Sequence, residues 1–149
     1  MKNLDIYCVT DKKLDFLEKT QLKLVGVGKD KFSEKYLKCD TKKNINYKEK
    51  YYSELTFHHW YWQNILPQEK QEWIGFCQKR RFWINLKKDK NLVTPENLNE
   101  FLLTEVNDEM ANFESFICNP ISVAGVKKGK IIKRGWKNLI KDPEIFFKT

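Results

Sequence analysis

The sequence predicts an α/β fold in which a mostly parallel sheet is flanked by helices. Residues 4–10 and 22–27 are apolar, β-branched segments, and a short helical segment separates them. A third strand pattern, at 73–77, follows a long helical segment at 53–66. Strands that alternate with helices are typical of parallel α/β sheets. The length of 149 residues and the lack of an internal repeat predict a single domain over residues 1–149.

The amino-terminal elements are predicted to be a strand, a short helix and a second strand. Residues 4–10 are rich in β-branched and aromatic side chains, which is the composition of a buried strand. Asp11 can cap a short helix that carries Leu14 and Leu17. Residues 22–27 form the second strand, and glycines close it.

A long polar loop and an aromatic helix follow. Residues 29–50 are polar and weakly patterned, and loops of this length are usually functional or disordered. Residues 53–66 are predicted to form a helix that Pro67 ends. This helix is apolar nearly all round, which is typical of a buried helix. One of its stripes consists of Leu55, His59, Trp62 and Leu66, and much of the rest is filled by Phe57, Trp60, Tyr61 and Ile65.

The carboxy-terminal half predicts a central strand, a helix and a last strand. Residues 73–77 are continuously apolar, as in the central strand of a parallel sheet. Thr94 and Pro95 combine a hydroxyl N-cap with a proline at the first helical position, which indicates a helix start. The buried stripe of this helix is predicted to contain Leu98, Phe101, Leu102 and Val106. The last predicted elements are a strand at 116–119 and short segments at 131–132, 136–140 and 142–144.

The net charge of +8 comes mainly from lysines that are scattered along the chain. Such a charge is compatible with a nucleic acid or with a small anionic ligand such as a nucleotide diphosphate. Concentrated positive charge occurs at 79–81 and at 127–134, and two or three cations suffice for a diphosphate. A nucleic acid is therefore not expected to be the main partner.

The four cysteines are predicted to be reduced. Cys8, Cys39, Cys77 and Cys118 lie too far apart to form the close pairs that metal sites use. Three of them lie in or beside apolar strand patterns. Buried core thiols are therefore favoured over disulfides or zinc ligands.

The sequence predicts no membrane-spanning segment. No apolar run reaches the roughly 20 residues that a spanning helix needs. The first ten residues contain a short apolar strand rather than a secretory signal. The protein is predicted to be cytoplasmic, and a peripheral position at the inner membrane stays open.

Polar side chains follow the predicted strands at the edge where open α/β sheets bind their ligands. The loop that carries Asp40 and Asn44 lies on the same side if it follows the second strand. These segments are expected to line one cleft. The candidate ligand-binding residues of this pattern are Thr10, Lys12, Asp40, Asn44, Gln78, Arg80 and Arg81.

The paired arginines and the paired histidines each allow two interpretations. Arg80 and Arg81 are neighbours and cannot both point inward from a strand. One can clamp a diphosphate with its bidentate guanidinium, while the other forms a structural ion pair, with Glu54 as a candidate partner. His58 and His59 lie in the aromatic helix without a carboxylate or cysteine at metal spacing, so packed histidines are favoured over catalytic ones.

Familiar catalytic signatures are missing from the sequence. It has no P-loop, no Gly-x-Gly-x-x-Gly fingerprint and no nucleophile-elbow serine. It also has no Asp-x-Asp pair at a strand end to hold a divalent cation between phosphates. The sequence therefore predicts no metal site and leaves the catalytic residues unassigned.

Five short motifs carry a resemblance to a known family. They read Val-Thr-Asp-Lys at 9–12, Asn-Ile at 44–45, Glu-Leu-Thr at 54–56, Trp-Tyr-Trp-Gln-Asn at 60–64 and Trp-Ile-Gly-Phe-Cys-Gln-Lys-Arg-Arg-Phe at 73–82. In order and spacing they resemble a bacterial family of capsular and exopolysaccharide biosynthesis proteins. This family is catalogued as a domain of unknown function and is grouped with GT-A-type glycosyltransferases.

The resemblance implies a GT-A-like, Rossmann-related sheet and a donor half that binds a nucleotide-diphosphate sugar. It implies transfer of the sugar to a glycan or lipid-linked acceptor, with Glu54 orienting the cleft. A full transferase of this kind has an acceptor half as well, so we expect the fold to be incomplete at its carboxyl terminus. The donor sugar, the linkage and the catalytic base stay open.

The sequence departs from the family pattern at three places. Asp11 stands in place of a histidine, Asn46 in place of a serine, and Gln78 with Lys79 in place of His-Tyr before the arginines. Acid–base chemistry by that His-Tyr pair is therefore absent here or performed differently. We expect cations of the protein, rather than a metal, to neutralise the diphosphate leaving group.

Three functions are compatible with these patterns. The favoured one is a glycosyltransferase of surface polysaccharide biosynthesis. The second is a non-catalytic or truncated module that binds a sugar nucleotide. The third, less favoured, is a nucleic-acid-binding protein that uses the surplus of lysines.

Overall fold

The computed structural model describes residues 2–70 and 72–119. The chain divides into two compact units, Met1–Glu114 and Ser115–Thr149. The helices and strands given below belong to the first unit. In the second unit the described residues, 115–119, have no regular secondary structure. Within the described residues, no helix is long and apolar enough to cross a membrane.

The described strands form one mostly parallel sheet. Its central strand, β1, pairs in parallel with β2 on one side and β4 on the other, and β2 pairs in parallel with β3. The strand order is therefore β3-β2-β1-β4, and β5 pairs antiparallel with the first residues of β1. The strands are β1 (Lys2–Thr10), β2 (Lys23–Gly26), β3 (Leu37–Lys38), β4 (Trp73–Gln78) and β5 (Glu105–Val106). The predicted α/β fold with a mostly parallel sheet is confirmed.

The helices are short, apart from one that packs on the sheet. The α-helices are α1 (Glu49–Tyr52), α2 (Leu55–Asn64) and α3 (Leu98–Phe101). The 3₁₀ helices are Leu17–Lys19, Asn46–Lys48, Leu66–Gln68, Lys90–Leu92 and Met110–Asn112.

The side chains of β1 alternate between two cores, as the period of a strand requires. On one face, Cys8 lies beside Leu24 of β2 and Cys77 of β4. Loop and helix residues cover this face, and its buried cluster includes Leu17, Tyr36, Leu98 and Leu102. On the opposite face, α2 covers Tyr7, Val9 and Val25 with Phe57, Trp60 and Tyr61. From Ile6 to Thr10, β1 is therefore buried on both faces, which explains its continuous apolar character. β4, which was predicted to be the central strand, is instead the last strand on its side of β1 in the described part of the chain, and Cys77 is its one buried residue.

Only one face of α2 is buried, whereas the sequence predicted a helix that is buried nearly all round. Phe57 is fully buried, and its ring packs 5.5 Å from that of Tyr7. Leu55 and Trp62 lie on the outer face, with Trp62 59 % exposed and Leu55 53 % exposed. The helix is apolar nearly all round, so periodicity alone does not select its inner face. The inner face holds Phe57, Trp60 and Tyr61, and both of these rings that carry a donor have a hydrogen-bond partner.

Two polar anchors hold the inner face of α2. Trp60 Nε1 donates to the backbone oxygen of Thr41 at 2.8 Å. The Tyr61 hydroxyl donates to Glu69 Oε2 at 2.8 Å, and burial together with this bond raises the pKa of Tyr61. Both large rings therefore enter the core without leaving a donor unpaired.

The boundaries of the predicted central helix are also corrected. The helix that was predicted for 53–66 begins only at Leu55, because Ser53, with a φ of 45°, separates it from α1. It ends at Asn64, before Pro67. Two elements, β3 and α1, lie inside the segment that was predicted to be a loop. Both are only two to four residues long and lack a buried residue, so they have no periodic signal.

Three further predictions in the carboxy-terminal half are wrong. The helix that was predicted from Thr94 forms only at Leu98–Phe101, and Val106 belongs to β5. No strand forms at 116–119, where Ile117 is 88 % exposed and lies outside the sheet. Cys118 is exposed, while the other three cysteines are buried and all four are free thiols. The segments that were predicted at 131–132, 136–140 and 142–144 lie outside the described residues.

Candidate functional site

The four parallel strands end at the same edge of the sheet. β1 ends at Thr10, β2 at Gly26, β3 at Lys38 and β4 at Gln78. The chain proceeds outward from β1 to β3 and then returns to place β4 on the other side of β1. The strand order therefore reverses between β1 and β4, and ligands of open α/β sheets bind at such a switch point. We use the name carboxyl edge for residues 10–12, 27–28, 39–40 and 78–81.

Thr10 shapes the turn that follows β1. Its hydroxyl is buried and donates to the backbone oxygen of Lys12 at 2.7 Å. The backbone N–H of Lys12 donates back to Thr10 Oγ1 at 3.1 Å. These two bonds hold the turn closed, so Thr10 positions its neighbours, while Lys12 is exposed.

An ion pair joins the ends of β1 and β4. Lys79 Nζ donates to the Asp11 carboxylate across the switch point. This hydrogen bond lowers the pKa of Asp11 below its ordinary value. The Lys79 side chain is 20 % exposed, so the pair forms a partly covered bridge at the place where a ligand would enter.

A second contact joins the end of β4 to the start of α2. Gln78 Nε2 donates to Glu54 Oε1, and Glu54 directly precedes α2. The backbone groups of Gln78 and Arg81 bond to each other at 3.0 and 3.3 Å. The segment 78–81 is therefore a tight turn, with Lys79 and Arg80 at its tip.

The two arginines lie on the surface of this turn. Arg80 and Arg81 are both exposed, and within residues 2–70 and 72–119 neither guanidinium contacts a carboxylate. The predicted ion pair with Glu54 does not form, because Gln78 occupies that carboxylate. The two guanidinium groups therefore add positive charge beside the switch point that no carboxylate in the described part of the chain contacts.

Asn44 builds the loop that follows β3. Its Nδ2 donates to the backbone oxygens of Asp40 and Lys42 at 3.1 and 3.0 Å, and its Oδ1 accepts from the N–H of Asn46 at 3.1 Å. Asp40 is exposed at the end of the outer strand. Because β2 separates β3 from β1, Asp40 lies about 10 Å from the switch point. The predicted cleft thus has Thr10, Glu54 and Gln78 close to the switch point and Asp40 with Asn44 at its margin.

The sequence did not mark Gly28 of the carboxyl edge, or Glu49 beside it, as a candidate site residue. Gly28 has a φ of 90°, and a Cβ placed on it would lie 3.4 Å from Glu49 Oε1 and 3.9 Å from the Asp11 Cβ. Glu49 therefore reaches back from α1 to Gly28 in the turn after β2, and Asp11 lies on the same glycine. A glycine directly after a strand is the signal that could have marked this close approach.

Lys79 was noted in the sequence only as part of a basic run. Its pairing with Asp11 could have been expected from opposite charges at the ends of two parallel strands. The strand register that makes them neighbours, with Val9 beside Gln78, is visible only in the sheet.

His58 and His59 pack on aromatic rings. The His58 ring lies 4.8 Å from the ring of Phe76 at a right angle, and burial lowers the pKa of His58 although Glu54 opposes this shift. His59 Nδ1 is buried and has no hydrogen-bond partner in the described parts of the chain. No group of three or more His, Cys, Asp or Glu side chains in those parts could hold a metal ion.

Comparisons with known proteins give one match. A family model described as "Domain of unknown function (DUF4422)" matches residues 5–119, which include every segment of the carboxyl edge. No curated protein and no solved structure matches the chain.

Proposed function

This chain belongs to the family described as domain of unknown function (DUF4422), and we propose that it is a glycosyltransferase of capsular or exopolysaccharide biosynthesis. Its carboxyl edge binds a nucleotide-diphosphate sugar in the cytoplasm. The sugar passes to a glycan or lipid-linked acceptor. The observation that carries the proposal is the cationic turn at 78–81, which lies at the switch point between β1 and β4.

The cations of this turn suit a diphosphate. Arg80 and Arg81 are exposed, and a guanidinium can bond to two phosphate oxygens at once. Lys79 adds a third cation, which a phosphate can withdraw from Asp11. Positive charge that is already in place stabilises the charge that develops on the leaving nucleotide diphosphate.

The neighbouring polar groups fit the rest of the donor. Lys12 follows the Thr10 turn and is exposed beside the switch point. The Glu54 carboxylate and Gln78 are fixed to each other and orient the cleft. In this proposal Asp40 and Asn44, at the margin, contact the far end of the nucleotide or sugar.

The proposal is tested by thermal unfolding of the parent in the presence of nucleoside diphosphates and their sugars. A ligand at about 100 times its Kd stabilises a protein by about 2.7 kcal/mol, which raises the melting temperature by several degrees. The double variant Arg80→Gln/Arg81→Gln should lose this shift. The control Lys87→Gln/Lys90→Gln, which removes two exposed cations elsewhere, should keep it. If the ligand raises the melting temperature of both variants equally, the turn at 78–81 is not part of the binding site.

The proposal also assigns neutralisation of the leaving group to the protein rather than to a metal. Sugar transfer should therefore continue in the presence of a chelator. Strict dependence of transfer on manganese would contradict this part of the proposal and leave the binding part intact.

A second candidate function is a non-catalytic module that binds a sugar nucleotide. It is favoured by the hydrogen bonds between Lys79 and Asp11 and between Gln78 and Glu54. These bonds engage polar groups that a catalyst would use on its substrate. Both candidates predict nucleotide binding. Release of nucleoside diphosphate on addition of an acceptor separates them, because only the transferase forms that product.

A further inference from the structure

The outer surface of α2 and of the segment before it is apolar although it faces away from the sheet. Leu55 and Trp62 lie on the side of α2 opposite to the buried Phe57, and Leu66 begins the 3₁₀ helix that follows α2. They are large hydrophobic side chains, each about half exposed. Contiguous apolar surface of this kind usually marks an interaction site.

Exposed tyrosine rings precede α2 in the chain. Tyr47 is 78 % exposed and Tyr52 is 46 % exposed. Lys48 Nζ lies 5.6 Å from the Tyr47 ring centroid and 6.0 Å from that of Tyr52, so one cation lies over both rings. We use the name Trp62 surface for Tyr47, Tyr52, Leu55, Trp62 and Leu66.

The segment that carries this surface has an excess of positive charge. Residues 41–70 contain five lysines and three acids. Glu49 faces Gly28, Glu54 accepts from Gln78, and Glu69 accepts from the Tyr61 hydroxyl. The carboxylates of Glu54 and Glu69 are therefore bonded to groups of the sheet edge and the core, and lysines outnumber acids in this segment.

We propose that the Trp62 surface docks the protein onto an anionic phospholipid surface. Tyrosine and tryptophan favour the boundary between lipid headgroups and acyl chains, and lysines beside them attract anionic headgroups. The aliphatic part of the stripe favours lipid over single-stranded nucleic acid, because leucine side chains offer no ring on which bases stack. This inference does not depend on the activity proposed for the carboxyl edge.

The test is co-sedimentation of the full chain with vesicles. Phosphatidylcholine vesicles that contain about one-third phosphatidylglycerol should bind the parent, with binding that weakens as salt is raised. Vesicles of phosphatidylcholine alone should bind it at least about tenfold more weakly. Equal binding to both compositions would overturn the proposal.

Variants locate the surface. Leu55→Ser/Trp62→Ser/Leu66→Ser should weaken binding about tenfold or more, because apolar area that enters the interface is lost. Leu86→Ser/Leu92→Ser replaces two exposed leucines outside the surface and should bind as the parent does. Lys43→Gln/Lys48→Gln should reduce the dependence on anionic lipid. Unchanged binding of the triple variant would overturn the proposal.

A spectroscopic readout does not require the triple variant to fold. The chain has five tryptophans, and brominated lipids quench those that enter the bilayer. Quenching in the parent should largely disappear in Trp62→Phe, which keeps an aromatic side chain at the interface. Quenching that persists in Trp62→Phe would place the contact elsewhere.

The same experiments can also reveal a different binding partner for the Trp62 surface. If the parent is a dimer and the triple variant a monomer, a second copy of the chain covers the surface, and the lipid proposal fails. If vesicles do not bind but RNA binds with a steep salt dependence, a nucleic acid is the partner. Either result is distinct from failure of nucleotide binding at the carboxyl edge.

Discussion

Lys79 at the end of β4 donates a hydrogen bond to Asp11 at the end of β1, and this contact joins two residues that are 68 positions apart in the chain. It crosses the switch point of the sheet, between the turn shaped by Thr10 and the turn that carries the arginines. The same lysine is therefore bound to a carboxylate in the free protein and is available to a phosphate in the proposed complex. This competition has measurable consequences.

Substitution of Asp11 should strengthen nucleotide binding. In Asp11→Asn the lysine is released and one negative charge next to the diphosphate is removed, so we expect the Kd for a nucleoside diphosphate to fall several-fold. The measurement is calorimetric titration of parent and variant at the same ionic strength. Glu109→Gln, which removes an exposed acid outside the carboxyl edge, should leave the Kd unchanged. Weaker binding in Asp11→Asn would mean that the carboxylate itself contacts the ligand.

The same pair predicts a pH dependence of stability. Because Lys79 lowers the pKa of Asp11 below its ordinary value of 3.8, the folded protein gains stability from this pair when the carboxylate is ionised. The contribution is fully present above the ordinary value and is lost as the pH falls through the lowered pKa. Asp11 is 51 % exposed, so the contribution is at most about 1 kcal/mol.

Urea unfolding of the parent and of Asp11→Asn measures this contribution. The parent should be the more stable protein at neutral pH, and the difference in free energy of unfolding should shrink below about pH 4. If the difference in free energy of unfolding stays constant at lower pH, it comes from the substituted side chain itself and not from the ion pair.

Most strands of the sheet were predictable from the sequence, whereas the contacts between residues distant in the chain were not. β1 was predictable because a strand that is buried on both faces is continuously apolar. The apolar run of β4 marked it as a strand but gave it the wrong place, since β1 is the central strand. β3 has two exposed residues and therefore no pattern. The contact of Asp11 with Lys79 depends on the register of β1 with β4, which no local pattern encodes. The nearness of Gly28 to Glu49 likewise depends on how the long loop returns to the edge.

The two faces of α2 should respond very differently to truncation. Phe57 is fully buried against Tyr7, so Phe57→Ala should lower the free energy of unfolding by about 3–5 kcal/mol through lost contacts and a residual cavity. Leu55 is 53 % exposed, so Leu55→Ala should change it by no more than about 0.5 kcal/mol. Chemical denaturation of both variants is the measurement. The reverse order of effects would mean that α2 packs its Leu55 side, rather than its Phe57 side, against the sheet.

The cysteines should differ sharply in their reactivity. A hydrogen bond with Cys8 and burial raise the pKa of Cys77, and burial raises that of Cys39, whose Sγ lies 3.9 Å from Thr56 Oγ1. Alkylation requires an accessible thiolate, so these core thiols should stay unmodified in the folded protein. Cys118 is exposed and should react.

Mass spectrometry after brief treatment with iodoacetamide at neutral pH makes this comparison. The native parent should gain one label, the variant Cys118→Ser should gain none, and denaturant should expose the remaining three thiols of that variant. Rapid labelling of Cys77 in the native protein would mean that β4 separates from β1 on the timescale of the reaction. It would also weaken the assignment of a fixed site at the ends of these two strands, because the pair of Asp11 and Lys79 requires their register.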